Sequence, residues 1–268
     1  MPATWLARRT TYSYMSTHKR FWEIDLVRTV AIAMMLTFHT LYLLNYFYIH
    51  NTGVPGMPYG FWWWFPRVTA GTFIFLAGVS LTITHSRSKR ISGFMLRGLQ
   101  IFAWGMGITL ITWLIPSTRT EYVRFGILHF FGIAFILAPF FLRFHFINLI
   151  LGAALMAIGI YLQVQGIYFD FPWLLWLGLM PNFYMMDYFP LLPWFGLFLV
   201  GMFCGKLLYP QGSRRFNIHE FSNPVTSTMT LPGRHPLAIY LAQWPVIIGL
   251  LLAVFPANVL PYFPQFPF

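Results

Sequence analysis

The chain has 268 residues, of which 58% are hydrophobic, 21% aromatic and only 9% charged. A soluble domain of this length cannot bury so much apolar surface, so the composition excludes a water-soluble globule and points to an integral membrane protein. The net charge of +11 is spread between apolar runs, a poor nucleic-acid footprint, and the single Cys204 excludes an internal disulfide framework.

The segment 1–20 is polar and basic, and the apolar stretch after it is too long for a signal-peptide core. Seven spans are then expected: Thr29–Tyr48, Phe61–Thr84, Phe94–Ile115, Phe125–Leu142, Ile147–Gln163, Leu191–Tyr209 and Pro236–Phe255. Each is near the ~20 residues that cross ~30 Å of hydrocarbon as a helix. Helix is expected because an open strand would leave backbone groups unpaired in lipid. The proline-bracketed run "DFPWLLWLGLMPNF" from Asp170 is too short to cross and reads as a re-entrant or interfacial segment. The longest polar loop is expected over about 210–235, and "GRHP" within it reads as the start of the last span, with His235 solvated and Pro236 in the first turn. The tail "PANVLPYFPQFPF" is too rich in proline to be helical and suits an interface. The fold class is thus all-α, a polytopic membrane bundle of about seven transmembrane helices over 21–256, with a basic segment over 1–20 and an interfacial tail over 257–268.

An N-terminus in the cytoplasm places 14 of the 17 Lys and Arg residues inside, leaving only Arg67, Arg119 and Arg124 outside. That arrangement implies a multi-pass protein of the cell membrane, with the C-terminus on the outer side.

The first span carries the chemistry. Arg28, His39 and His50 are spaced by eleven residues, which is about three helical turns, so each step drifts only ~20°. If the helix runs through His50, then Asp25, Arg28, His39, Tyr42, Tyr46 and His50 share one stripe. Ionisable groups inside a span usually face an interior path, so the stripe reads as one wall of it. The plainer reading is that each polar group only makes an interhelical hydrogen bond.

Arg67 lies about two turns inside the second span, Arg124 at the outer mouth of the fourth with His129 deeper, and Asp187 just before the sixth. Arg67, Arg124, Asp187 and His50 are expected to converge at the outer end. Against this stand snorkelling of the two arginines to the interface and a solvated loop carboxylate. Ala77–Gly78 and Gly105–Gly107 suit close helix packing, and Trp62–Trp64 an aromatic belt. No HExxH, phosphate-binding glycine loop or CxxC is present, so no metal, nucleotide-hydrolysis or dithiol chemistry is expected.

The blocks "RFWEIDLVRTVAIAMMLTFH", "TAGTFIFLAGVSLTIT", "VRFGILHFFGIAFILAPFFL", "DYFPLLPWFGLFLVGMFCGKLLY" and "LPGRHPLAIYLAQWPVIIGLL" occur in this order. Together they resemble the catalytic membrane domain of heparan-α-glucosaminide N-acetyltransferases and their short prokaryotic relatives. The resemblance implies transfer of an acetyl group from cytoplasmic acetyl-CoA to a sugar amine on the opposite face. It places the proposed active histidine of the family at His50 and, in lysosomal members, an asparagine at the position of His39. Asp25 and Arg28 match the acid and base at the start of the family's helix. No lumenal N-terminal domain of the lysosomal kind is expected, so heparan sulfate is not implied as the substrate.

Acyl transfer from a thioester needs a base for the acceptor's proton, and histidine titrates in the right range. His50 and His39 are the candidate bases, with Asp187 as a carboxylate partner for His50. CoA phosphates need a basic lining, for which Arg28 and Arg97 are candidates beside Asp25; Arg67, Arg124 and His129 are candidate acceptor contacts. The expected partners are an acyl-CoA, a glycan or lipid-linked sugar carrying an amine or hydroxyl, and membrane lipids; a homodimer is compatible with the reading. The alternative is a small transporter or proton pathway through the histidines.

Overall fold

The computed structural model describes residues 20–54, 60–115, 118–169, 171–179, 187–220 and 223–263. The basic residues Arg8, Arg9 and Lys19, the start of the short run at Asp170 and the last five residues of the tail lie outside them. The described chain is helical throughout: α1 Trp22–Tyr46, α2 Phe61–Ser88, α3 Ile91–Leu114, α4 Ile127–Phe141, α5 Phe146–Val164, α6 Leu191–Leu208, α7 Pro224–Arg234, α8 Pro236–Val254 and the short α9 Pro256–Val259. Among the described residues six helices are long and apolar enough to cross a membrane; α4, with 15 residues, is shorter than the span expected there. The Pro172–Leu177 piece is a single 3-10 helix and does not cross.

Three boundaries differ from the sequence reading. First, α1 stops at Tyr46 because Tyr48 takes a left-handed conformation (φ 53°) and the amides of Ile49 and His50 turn back to the Leu44 carbonyl at 2.9 and 3.1 Å. Second, the polar loop before the last span contains α7. Its first turn is closed by the Asn223 side chain accepting from the Thr226 amide at 2.8 Å, with Pro224 at the next position, where a missing N–H does no harm. Third, the tail is not wholly irregular: α9 and a 3-10 turn over Leu260–Tyr262 fold back so that Tyr262 packs on Tyr46 and Phe47. The start of the last span is as read, with Pro236 first in α8 and His235 exposed.

Close backbone approach organises the packing. Across the α2–α6 seam, Gly78 sits on the Phe198 carbonyl and Gly201 on the Phe75 carbonyl, and a Cβ at either would collide with backbone. This is the small-residue contact that stands in for a hydrophobic drive between helices in lipid. Ile74, Phe198, Leu199 and Met202 are fully buried around it. α5 packs on the other side of α6, and α3 pairs with α4. α7 lies along α1, where Gly233 rests on the Asp25 carbonyl and its amide donates to Thr29 Oγ1 at 3.0 Å. At the same end Arg214 grips Glu23 with two 2.7 Å bonds, tying the connection after α6 to the start of α1. This scaffold leaves a gap between α1, α7 and α8 on one side and α3 and α4 on the other.

Candidate functional site

The gap is a cavity of about 1130 Å³ that runs the length of α1. Its basic end is lined by Arg20, Asp25, Arg28, Arg87, Arg97 and Arg234. Five cations against one carboxylate make this a strongly positive mouth. Asp25 is buried (4% exposed) and holds Arg28 NH1 at 3.1 Å, while Arg234 Nε stands 3.9 Å from its other oxygen. Arg28 also donates to Ser80 on α2. Arg87 is spent on the Gly212 carbonyl at 2.8 Å, whereas Arg20 and Arg97 are exposed. The i,i+3 pairing expected of Asp25 and Arg28 is therefore present, and it sits in the cavity wall.

Deeper along α1, His39 lines the same cavity. Its Nδ1 lies 2.9 Å from Oε1 of Gln243 on α8, and its ring packs against Trp244 with centroids 5.1 Å apart. Gln243 is buried (3% exposed), and its amide nitrogen points at the Met35 sulfur at 3.6 Å. An amide oxygen only accepts, so Nδ1 must carry the proton and Nε2 keeps its lone pair. The polar residue on the apolar helix thus does make an interhelical hydrogen bond, but that bond orients the ring as well as satisfying it.

Asp187 also lines the cavity. One of its oxygens accepts from the Ile127 amide at 3.0 Å, at the N-terminus of α4, and from the Tyr240 hydroxyl at 3.3 Å. Burial lifts its carboxyl from 3.8 to about 6, while those two hydrogen bonds pull the other way. Tyr240, Gln243 and Trp244 are i, i+3 and i+4 on α8 and span about 6 Å of rise. His39 and Asp187 are therefore joined through a single turn of one helix.

The expected convergence at the outer end is not what the structure brings together. His50 follows the turn that ends α1, is exposed and does not line the cavity, so it falls off the stripe and away from Asp187. Arg67 is turned back on its own helix, donating to the Trp63 carbonyl at 2.7 Å and stacking on the Trp63 ring, as a snorkelling side chain does. Arg124 is exposed with its guanidinium over Tyr122. His129 is buried (2% exposed): its Nδ1 accepts from the Gly126 amide at 3.1 Å and its Nε2 meets Thr109 Oγ1 at 3.3 Å. Both ring nitrogens are used inside the α3–α4 pair, with Gly105 allowing the close approach. Gly107, read as a packing glycine, faces open space on the cavity wall.

The family described as "Heparan-alpha-glucosaminide N-acetyltransferase, catalytic" matches residues 20–245. The chain belongs to this family. The match runs from the basic mouth, through both histidine-bearing and carboxylate-bearing walls, to the turn of α8 that joins them. No curated protein and no solved structure matches the chain. Family membership makes it a membrane acetyltransferase, a protein that brings an acyl donor and an acceptor together within a helix bundle.

Gln243, Tyr240 and Trp244 were missed by the sequence reading although "LAIYLAQWPV" carries the same signal as the histidines, polar side chains inside an apolar span. Arg234 was missed because "GRHP" reads only as the entry to the last span. Among the described residues no cluster of three or more His, Cys, Asp or Glu side chains is positioned to hold a metal.

Proposed function

We propose that the cavity binds acetyl-CoA with its phosphates at the basic mouth and its thioester beside His39, and that the acetyl group passes there to an amine or hydroxyl of an extracytoplasmic glycan or lipid-linked sugar. The observation that carries this reading is the continuity of one cavity from Arg28 and Arg97 to His39. Along α1, the eleven residues from Arg28 to His39 rise about 16 Å. The pantetheine arm, from pyrophosphate to sulfur, is about a dozen bonds long, and at ~1.2 Å per bond of extended chain it reaches about 15 Å. The arm therefore fits the separation between the charged mouth and the imidazole. The basic mouth then faces the cytoplasm, in keeping with the distribution of Lys and Arg.

In the transfer, the acceptor nitrogen or oxygen attacks the thioester carbonyl carbon. His39 Nε2 takes the acceptor's proton as the new bond to carbon forms. The carbon–sulfur bond breaks, and the proton leaves the imidazolium for the CoA thiolate. Gln243 holds the imidazole in the tautomer that can accept, and Asp187 contributes a polar contact for the acceptor on the opposite wall. His50 lies outside this path, which favours His39 as the base.

The test is release of CoA thiol and formation of acetylated acceptor by purified protein in lipid nanodiscs, given acetyl-CoA and amino sugars. Thiol release that depends on acceptor and on His39 supports the reading. Protein that binds no CoA, or that transports protons or solute in vesicles without cleaving the thioester, would falsify it.

A further inference from the structure

The cavity is not closed on all sides. α3 packs along α4, and no extended contact joins it to α1 or α8. Yet Ile101, Trp104, Ile108 and Ile111 of α3, with Ile115 at its C-cap, all line the cavity. Their 3-4-3-4 spacing places them on one ridge over about 21 Å of helix. Such a ridge is the pattern that packs into a facing helix, and among the described residues only α4 makes an extended contact with α3. Across the gap α8 presents Leu241, Pro245 and Ile248. Trp104 and Ile111 are more than half exposed (55% and 59%), and Gly107, in the middle of the ridge, would meet nothing with an added Cβ. The opening therefore lies within the span, beside hydrocarbon, and no charged residue interrupts the ridge between Arg97 and Arg119.

An apolar slot at this depth is a poor channel for a hydrated glycan. Water in it would find few polar partners, whereas an alkyl chain would replace lipid contacts like for like. The ridge length matches an extended hexadecyl chain, about 20 Å at ~1.2 Å per bond. The ridge and His39 line the same cavity, as does Trp244, which touches the His39 ring.

We infer that the acceptor is lipid-anchored and enters sideways through the slot between α3 and α8, its chain lying on the Ile101–Ile115 ridge and its polar head at His39. This inference rests on the acetyl-transfer reading above and narrows its acceptor to an amphiphile with a single long chain.

The experiment compares hexadecyl glucosaminide with methyl glucosaminide as acceptors, and a diazirine-bearing hexadecyl glucosaminide with a diazirine phosphatidylcholine as labels, all in nanodiscs. Wild-type protein should acetylate the hexadecyl compound at least tenfold faster in kcat/KM, and the glucosaminide probe should label α3. Gly107→Phe, whose Cβ would meet nothing within 4 Å, should erase the label and lower the hexadecyl rate at least tenfold more than the methyl rate. Equal rates on both acceptors overturn the slot and leave the acetyltransferase intact. Equal loss on both acceptors in Gly107→Phe, labelling by phosphatidylcholine as strong as by the probe, or crosslinking of α3 to a second copy also overturns it. Labelling of α3 without any acetyl transfer upholds the slot and removes the acetyl-transfer reading instead.

Discussion

Gln243 Oε1 and His39 Nδ1 meet at 2.9 Å, and this contact leaves the second imidazole nitrogen as a base. His39→Ala should lower kcat by about 10²–10⁴, the usual worth of a general base. His50→Ala should leave kcat within about threefold of wild type, because no step in the transfer needs its proton. Gln243→Leu should fall between, since it leaves a buried ring N–H unpaired at about 1–3 kcal/mol and frees the tautomer. Gln243→Glu retains an acceptor and should retain more activity than Gln243→Leu. Thiol-release kinetics on the four variants separate these outcomes; a silent His39→Ala with a dead His50→Ala would move the base to the outer end.

The arginines of the mouth should divide by partner. Arg97 is exposed, so Arg97→Ala should raise KM for acetyl-CoA by about tenfold or more while thermal stability is unchanged. Arg28 shields a carboxylate whose side chain is 6% exposed. Arg28→Ala should therefore lose about 3 kcal/mol of stability as well as affinity. Thermal melts beside CoA titrations distinguish the two. Equal loss of stability in both variants would mean that the mouth is one structural network.

Asp187 carries a pH signature. Its folded pKa of about 6 lies above 3.8, so the folded protein holds the proton more tightly. That contribution to stability is fully present below the unfolded value and is lost as pH rises through the folded one. Between about pH 4 and pH 7, wild-type stability should fall relative to Asp187→Asn, on the order of 2 kcal/mol. The asparagine keeps an oxygen for the Ile127 amide and does not titrate. Melting curves over this window that run parallel would show a carboxylate with ordinary solvation.

Two glycines give a packing contrast. Gly201→Val drives a side chain into the Phe75 carbonyl and should lose about 3 kcal/mol or more, read as aggregation on size-exclusion chromatography. Gly107→Ala enters open space and should elute as wild type.

Six of the seven expected spans were readable from apolar length alone, because the bilayer sets one number that a crossing helix must meet. Where the reading failed, a local backbone event had intervened. The eleven-residue spacing of Arg28, His39 and His50 is real, but a left-handed Tyr48 ends α1 before the third member. Periodicity reports which face a residue would take on a helix and is silent on where that helix stops. α7 escaped because it is amphipathic and threonine-rich, a pattern that only its docking on α1 makes helical. Asp187 is expected from the sequence beside His50 at the outer end, whereas its hydrogen bonds to α4 and α8 draw it to the turn that also holds His39.

The brevity of α4 has a mechanical result. Its 15 residues reach about 22 Å, roughly 8 Å less than the hydrocarbon thickness. Irregular backbone must make up the difference, and in a bilayer it is tolerated only against protein or water. The Asp187 connection, which accepts from the first amide of α4, is part of that irregular backbone. On the proposed reading, a donor threads about 16 Å of helix from Arg28 to His39, only about half of that hydrocarbon thickness. A path that stops midway lets packed side chains, not a moving gate, part the donor from the far side.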